Sequence, residues 1–231
     1  MFFITIIIVT FVISLVASAR VKSTYHKYSK VPAGSGLTGA TAAARILSAA
    51  GINDVDIIEQ EGLLGDHYNP MNKQLVLCSE NFHGESAAAL GVAAHECGHA
   101  IQHKIAYAPL NWRMAAVGVT GYASQIVMWL PIIGMFTGLL KGNGYLFLIV
   151  MASAWGIMML FNLITLPVEF DASRRAVVIL NKMRLVTTEE ADTGVRKVLN
   201  AAGWTYVAAF ITSLAYMLYY LLPLILGSRR N

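Results

Sequence analysis

Charge is scarce in this sequence. Only 13% of its 231 residues are Asp, Glu, Lys or Arg, about half the share usual in a soluble domain. Disorder is excluded, because it needs high charge and low hydrophobicity. Cysteine is scarce too: Cys78 and Cys97 cannot staple a chain of this length, which excludes a disulfide-framed secreted module. There is no internal repeat, no low-complexity tract and no Asp-Gly pair. The net charge is only +4, and no nucleic-acid partner is expected. In place of charge the chain has 56% hydrophobic residues and a mean hydropathy of +0.58. Together these point to a polytopic membrane protein with one modest polar part.

A helix needs roughly 20 apolar residues to cross a hydrocarbon core of about 30 Å. Four stretches qualify: 1–19, 114–140, 145–167 and 204–226. Lys141-Gly-Asn-Gly144 separates the middle two and predicts a tight membrane hairpin. The first stretch ends Ala17-Ser18-Ala19, like a signal-peptidase site, but no positive residue precedes its apolar run. Arg20, Lys22, Lys27 and Lys30 all follow it, which favours an uncleaved anchor with its N-terminus outside. Segments 20–113 and 168–203 carry fourteen of the seventeen Lys and Arg residues. With four spans they share one side, which the positive-inside rule makes the cytoplasm. Lys141, Arg229 and Arg230 fall on the other side. The free cysteines fit a reducing compartment.

Segment 20–113 is expected to hold most of the polar domain. Thr38 reads as a helix start and Gly51 as its stop. Val55, Ile57 and Ile58 suggest a short strand. Asp66 to Lys73 reads as a turn and Gln74 to Cys78 as a strand, so a small hairpin joins the residues around His67 to those around Val76. Ser86 opens a long helix to about Tyr107, apolar on all sides at first and therefore buried. In segment 168–203, helices are expected from Glu169 to Asn181 and from Thr188 to Gly203. The tail is 227–231.

The second half of the long helix carries His95-Glu96-Cys97-Gly98-His99, an H-E-x-x-H motif. Histidines at i and i+4 share one helix face and can reach one zinc ion. Glu96 then stands beside the ion as general base for an attacking water. Catalytic zinc needs a third protein ligand. The continuation with Gly and His at 102 and 105 is absent, because those positions are Gln102 and Ile105. His103 lies too far along the axis and is a rim or structural residue. Glu169 is the stronger candidate, because a membrane hairpin returns the chain to the face it left. Glu169 is also expected to open a helix, where a carboxylate is favoured. The alternative is a boundary acid paired with Arg174 or Arg175.

The run Gly91 to Gln102 resembles the bacterial membrane-bound family of neutral zinc metallopeptidases, the YugP-like group. Ser35 to Gly39, Asp66 to Pro70, Pro167 to Ser173, Val198 to Ala202 and Thr205 to Ala209 are similar to it too. The resemblance implies a gluzincin-type zinc protease with one Zn2+ per chain, held by His95, His99 and Glu169. With the four apolar stretches, the expected fold is a mainly α membrane protein of about four transmembrane helices. A small α+β metalloprotease domain would lie at the cytoplasmic face of a bacterial inner membrane and act on polypeptide. More distant membrane proteases carry E-x-x-x-D here, whereas this chain has Ser173 at the fifth position and Asp171 two before it. Either could orient a ligand histidine.

Zinc acidifies a bound water and polarises the scissile carbonyl, and Glu96 moves the proton to the leaving amine. Donors for the oxyanion are sought among His67, Tyr68, Arg174 and Arg175. His67 could equally be a turn histidine held by Asp66, and Tyr68 a packed side chain. Cys97 lies off the histidine face, and His26 and His83 read as surface residues. Two rivals remain: an intramembrane protease, which would carry a later Asp-Gly motif, and a scaffold with a closed structural zinc.

Overall fold

The computed structural model describes residues 2–62, 65–137 and 144–227. Its helices, in chain order, are α1 (Phe2–Tyr28), α2 (Gly39–Ala49), α3 (Ser79–His83), α4 (Ala87–Lys104), α5 (Ala108–Thr137), α6 (Gly144–Lys182) and α7 (Glu189–Gly227). Three strands, β1 (Asp56–Gln60), β2 (His67–Asn69) and β3 (Gln74–Cys78), lie between α2 and α3. The expected turn at Lys141–Gly144 falls on residues 138–143, outside the described part apart from Gly144, as do residues 228–231 of the tail.

α1, α5, α6 and α7 are each long and apolar enough to cross a membrane. All four extend beyond the apolar stretches read from the sequence, and two run straight into segments expected to hold separate helices. α6 continues through Pro167, and α7 is unbroken across Gly203 and Trp204. Glu169 therefore does not open a helix; it sits deep inside one, and no helix terminus stabilises its charge. The end of an apolar stretch marks a change of surroundings and need not break the backbone. Pro167 removes one amide donor, a loss that membrane-spanning helices tolerate.

The chain divides into two compact units. The apolar unit comprises the described parts of 1–16, 112–166 and 205–231. Within it Trp155 stacks on Tyr216, with ring centroids 4.5 Å apart. Asn162 donates to the Ser213 hydroxyl at 3.0 Å and to the Ala209 carbonyl at 3.2 Å, an interhelical polar tie of the kind that joins helices in lipid. Large side chains such as Phe11, Met135 and Phe136 stay exposed, on helices long and apolar enough to cross a membrane.

The polar unit comprises the described parts of 17–111 and 167–204. Thr38 caps α2 by accepting from the Thr41 amide, and Gly51, at φ 66°, ends the turn behind it. The sheet order is β1-β3-β2: β1 runs parallel to β3, and β2 pairs antiparallel with His67 opposite Val76. The hairpin stands where expected, but β2 occupies His67–Asn69, within the segment read as turn. Leu75 and Leu77 of the central strand are fully buried with Ile46, Leu90, Ala94, Leu180 and Val195. The 33–34 segment is pinned to 186–187, and an added Cβ at Gly34 (φ +90°) would fall on the Thr187 side chain.

Candidate metal centre

α4 begins where Ser86 accepts a hydrogen bond from the Ala89 amide. Its first turns are mostly alanine and pack all round. It ends at Lys104, before Ala106 takes a positive φ of 51°. His95 and His99 stand one turn apart on it, their rings nearly perpendicular with centroids 4.8 Å apart. Gly98, between them, lets α6 approach: a Cβ there would lie 2.8 Å from the Ala172 carbonyl oxygen.

That close approach brings Glu169 of α6 to the histidines. Its Oε2 lies 3.3 Å from His95 Nε2 and 3.5 Å from His99 Nε2. One ligand atom from each of the three residues falls within 4.8 Å of the others. Tetrahedral zinc ligands at about 2.0–2.1 Å from the ion stand roughly 3.3–3.4 Å apart. The two Glu169 distances match that spacing, and the two-nitrogen, one-carboxylate donor set suits a zinc ion with a fourth position open.

Both histidines are also held from behind. The Ser173 hydroxyl lies 3.1 Å from His95 Nδ1. His99 Nδ1 lies 3.0 Å from Gln102 Oε1, and the Gln102 amide donates to the Val168 carbonyl and to Asp171 Oδ2. Ser173 and Asp171, left as alternatives by the sequence, thus serve different histidines: Ser173 meets His95 directly, and Asp171 reaches His99 through Gln102. Sequence reasoning missed the part played by Gln102. The signal was present: a polar residue three positions after His99 on a helix whose first turns are apolar all round, and it is fully buried.

The electrostatics follow. Glu169 lies beyond the apolar stretch that ends at Pro167 and is 2% exposed. Burial works against its charge, but hydrogen bonds and attraction from His95 and His99 win and hold its carboxyl well below the usual range. Burial likewise opposes a charged His99, yet Glu169, Glu96 and Gln102 together raise it. Asp171 is also held low: burial opposes this, and Gln102, Arg175 and Arg174 outweigh it.

The remaining candidates are placed as follows. Glu96 is buried beside the cluster, and among the described residues its carboxylate makes no ion pair. Tyr68 gives its hydroxyl to an interaction with His103 Nδ1 at 2.9 Å, one turn past His99 on α4. His67 is exposed, and its Nδ1 bonds the Gly65 carbonyl at 2.7 Å; Asp66 instead ties Asn81 and the Cys78 amide. The Arg174 guanidinium is mostly exposed and paired with Asp171. Arg175 pairs with the same carboxylate. Cys97 packs against the Ala43 carbonyl, with burial pushing its thiol up. His83 pairs with Glu59 at the surface.

The profile of the family described as putative neutral zinc metallopeptidase matches residues 3–225. The chain belongs to that family. The protein is also 40% identical, over all 231 residues and the full length of both chains, to a protein of Bacillus subtilis (strain 168) named putative membrane protease YugP. No solved structure matches. Family membership makes zinc the metal to consider for the His95, His99 and Glu169 cluster of this metallopeptidase-family chain.

Proposed function

We propose that this chain is a membrane-bound zinc endopeptidase whose ion is held by His95, His99 and Glu169. The observation that carries the reading is the meeting of Glu169 Oε2 with both Nε2 atoms, with Glu96 buried alongside. Zinc bound there would acidify a water and polarise the scissile carbonyl. Glu96 accepts the water proton and passes it to the leaving amine. Ser173 and Gln102 keep the imidazoles turned toward Glu169. Of the donors considered for the oxyanion, Tyr68 is the one tied to the histidine-bearing helix, through His103. His67, bonded to Gly65, and Arg174, bonded to Asp171, have weaker claims.

The substrate is polypeptide, and membrane-associated or misfolded chains suit an enzyme anchored by apolar helices. We place its polar unit at the cytoplasmic face of a bacterial inner membrane, because the Lys and Arg residues concentrate in 20–113 and 168–203. The ligands and Glu96 all belong to the polar unit, which favours cleavage outside the hydrocarbon over cleavage within it. The test is Glu96→Gln. It should bind zinc like the parent and lose roughly 10²–10⁴-fold in hydrolysis of an unfolded protein. Undiminished cleavage by that variant would remove Glu96 from the reaction.

A further inference from the structure

Away from the candidate metal centre, α1 and α7 flank an open cavity of about 570 Å³. Arg20 and Lys27 line it from α1, and Arg196 and Lys197 from α7, with Ser23 and Asn200 as neutral donors. No carboxylate lines it. Arg196 is partly neutralised by Asp192, 2.7 Å away. Lys27 lies over the Tyr28 ring, 5.4 Å from its centre. Arg20, Lys27 and Lys197 form no ion pair among the described residues. Like charges gathered around one concavity give it a positive potential that attracts anions.

Position says which anion. Arg20 is the first charged residue after the apolar run 1–19, and Asn200 lies four residues before the run that starts at Trp204. Both cavity walls therefore adjoin the ends of apolar stretches, at the depth of lipid headgroups. Basic pockets in that position bind phosphate-bearing headgroups. We propose that this cavity is a binding site for the phosphodiester headgroup of an anionic phospholipid. The positive-inside rule explains a count of positive residues; it does not require them to converge from helices about 170 residues apart in sequence.

The proposal is independent of catalysis and is tested by lipid binding. Native mass spectrometry of the full-length protein in neutral detergent would follow added phosphatidylglycerol, with phosphatidylcholine as reference. Calorimetry would follow inorganic phosphate. The variant Arg20→Gln/Lys27→Gln/Lys197→Gln is compared with Lys22→Gln/Lys30→Gln/Lys182→Gln, which removes equal charge outside the cavity. At about fivefold per basic residue, the cavity variant should lose roughly a hundredfold in phosphatidylglycerol binding. The control should lose far less, and phosphatidylcholine should not respond. If the triple variant misfolds, Lys197→Gln alone should lose about fivefold. Equal losses in the two triple variants would reduce the effect to diffuse charge attraction and overturn the site. Loss of inorganic phosphate binding with lipid binding unchanged would overturn the lipid assignment in favour of free phosphate.

Discussion

Gln102 fixes the tautomer of His99. Both N–H groups of its amide are spent, on the Val168 carbonyl at 2.8 Å and on Asp171 at 3.0 Å. A flipped amide would set its oxygen against two acceptors. The oxygen must therefore face His99 Nδ1, 3.0 Å away, and can only accept from it. The proton of a neutral His99 thus sits on Nδ1, and the Nε2 lone pair points toward Glu169. That is the form a metal ligand needs.

Gln102→Leu should accordingly weaken zinc binding by about 10–100-fold. It also leaves the buried His99 Nδ1–H without its acceptor, at a cost of about 1–3 kcal/mol in stability. Gln102→Glu should do worse than Leu, because a carboxylate there meets Asp171 with like charge. Competition with a chromophoric chelator gives the affinity and thermal melting of the metal-free protein gives the stability. Parent-like zinc affinity in Gln102→Leu would dismiss the tautomer argument.

Ser173→Ala probes the other histidine, and the effect should be smaller. The His95 side chain is 15% exposed, so water can replace the serine hydroxyl at Nδ1. Zinc affinity should fall less than tenfold, with kcat following it. A larger loss than for Gln102→Leu would mean that His95 is the more tightly positioned ligand.

Glu169→Gln separates the metal from the fold. The amide matches the carboxylate in size, so circular dichroism should stay unchanged while zinc content by emission spectrometry falls. The metal-free parent adds a pH signature. A carboxyl held below its unfolded value of about 4.3 stabilises the fold above that pH and loses this contribution as pH falls through the lowered value. Metal-free parent should therefore lose stability on acidification below about pH 4 more steeply than metal-free Glu169→Gln. Identical acid slopes would show that Glu169 and the histidines do not interact without metal.

Much of the candidate centre was legible because its chemistry is local. His95, Glu96 and His99 follow from helical spacing, and the hairpin follows from the Asn-Pro turn and the apolar run that ends at Cys78. Glu169 was reached by a topological argument about where a membrane hairpin returns; its carboxylate lies within 3.5 Å of both histidines, although the helix start expected there is absent. Composition hid the continuity of α6 and α7, because a switch from apolar to polar residues looks like a boundary while hydrogen-bonded backbone passes straight through it. The parallel pairing of β1 with β3 was invisible for another reason: register across a crossover depends on packing against α2 and α4. Gln102 escaped because its meaning lies in partners 66 and 69 residues away.

Gly98 is the residue on which the distance between the two ligand-bearing helices depends. A methyl group at this position would stand 2.8 Å from the Ala172 carbonyl oxygen and 3.1 Å from its Cα. Both atoms are backbone, so no side chain can swing aside, and α4 and α6 must separate by some tenths of an ångström. Glu169 lies one turn before Ala172 on α6, and His95 and His99 flank Gly98 on α4, so the separation opens the metal cluster itself. Gly98→Ala should cost about 1–3 kcal/mol in stability through overpacking, although alanine is the better helix former by about 1 kcal/mol. Zinc affinity should drop with it, while a fold judged by circular dichroism survives. The comparison is Gly118→Ala on α5, where an added Cβ meets nothing within 4 Å; that substitution should leave zinc affinity untouched. Equal behaviour of the two variants in a zinc titration would refute the close approach at Gly98 as the device that sets the site.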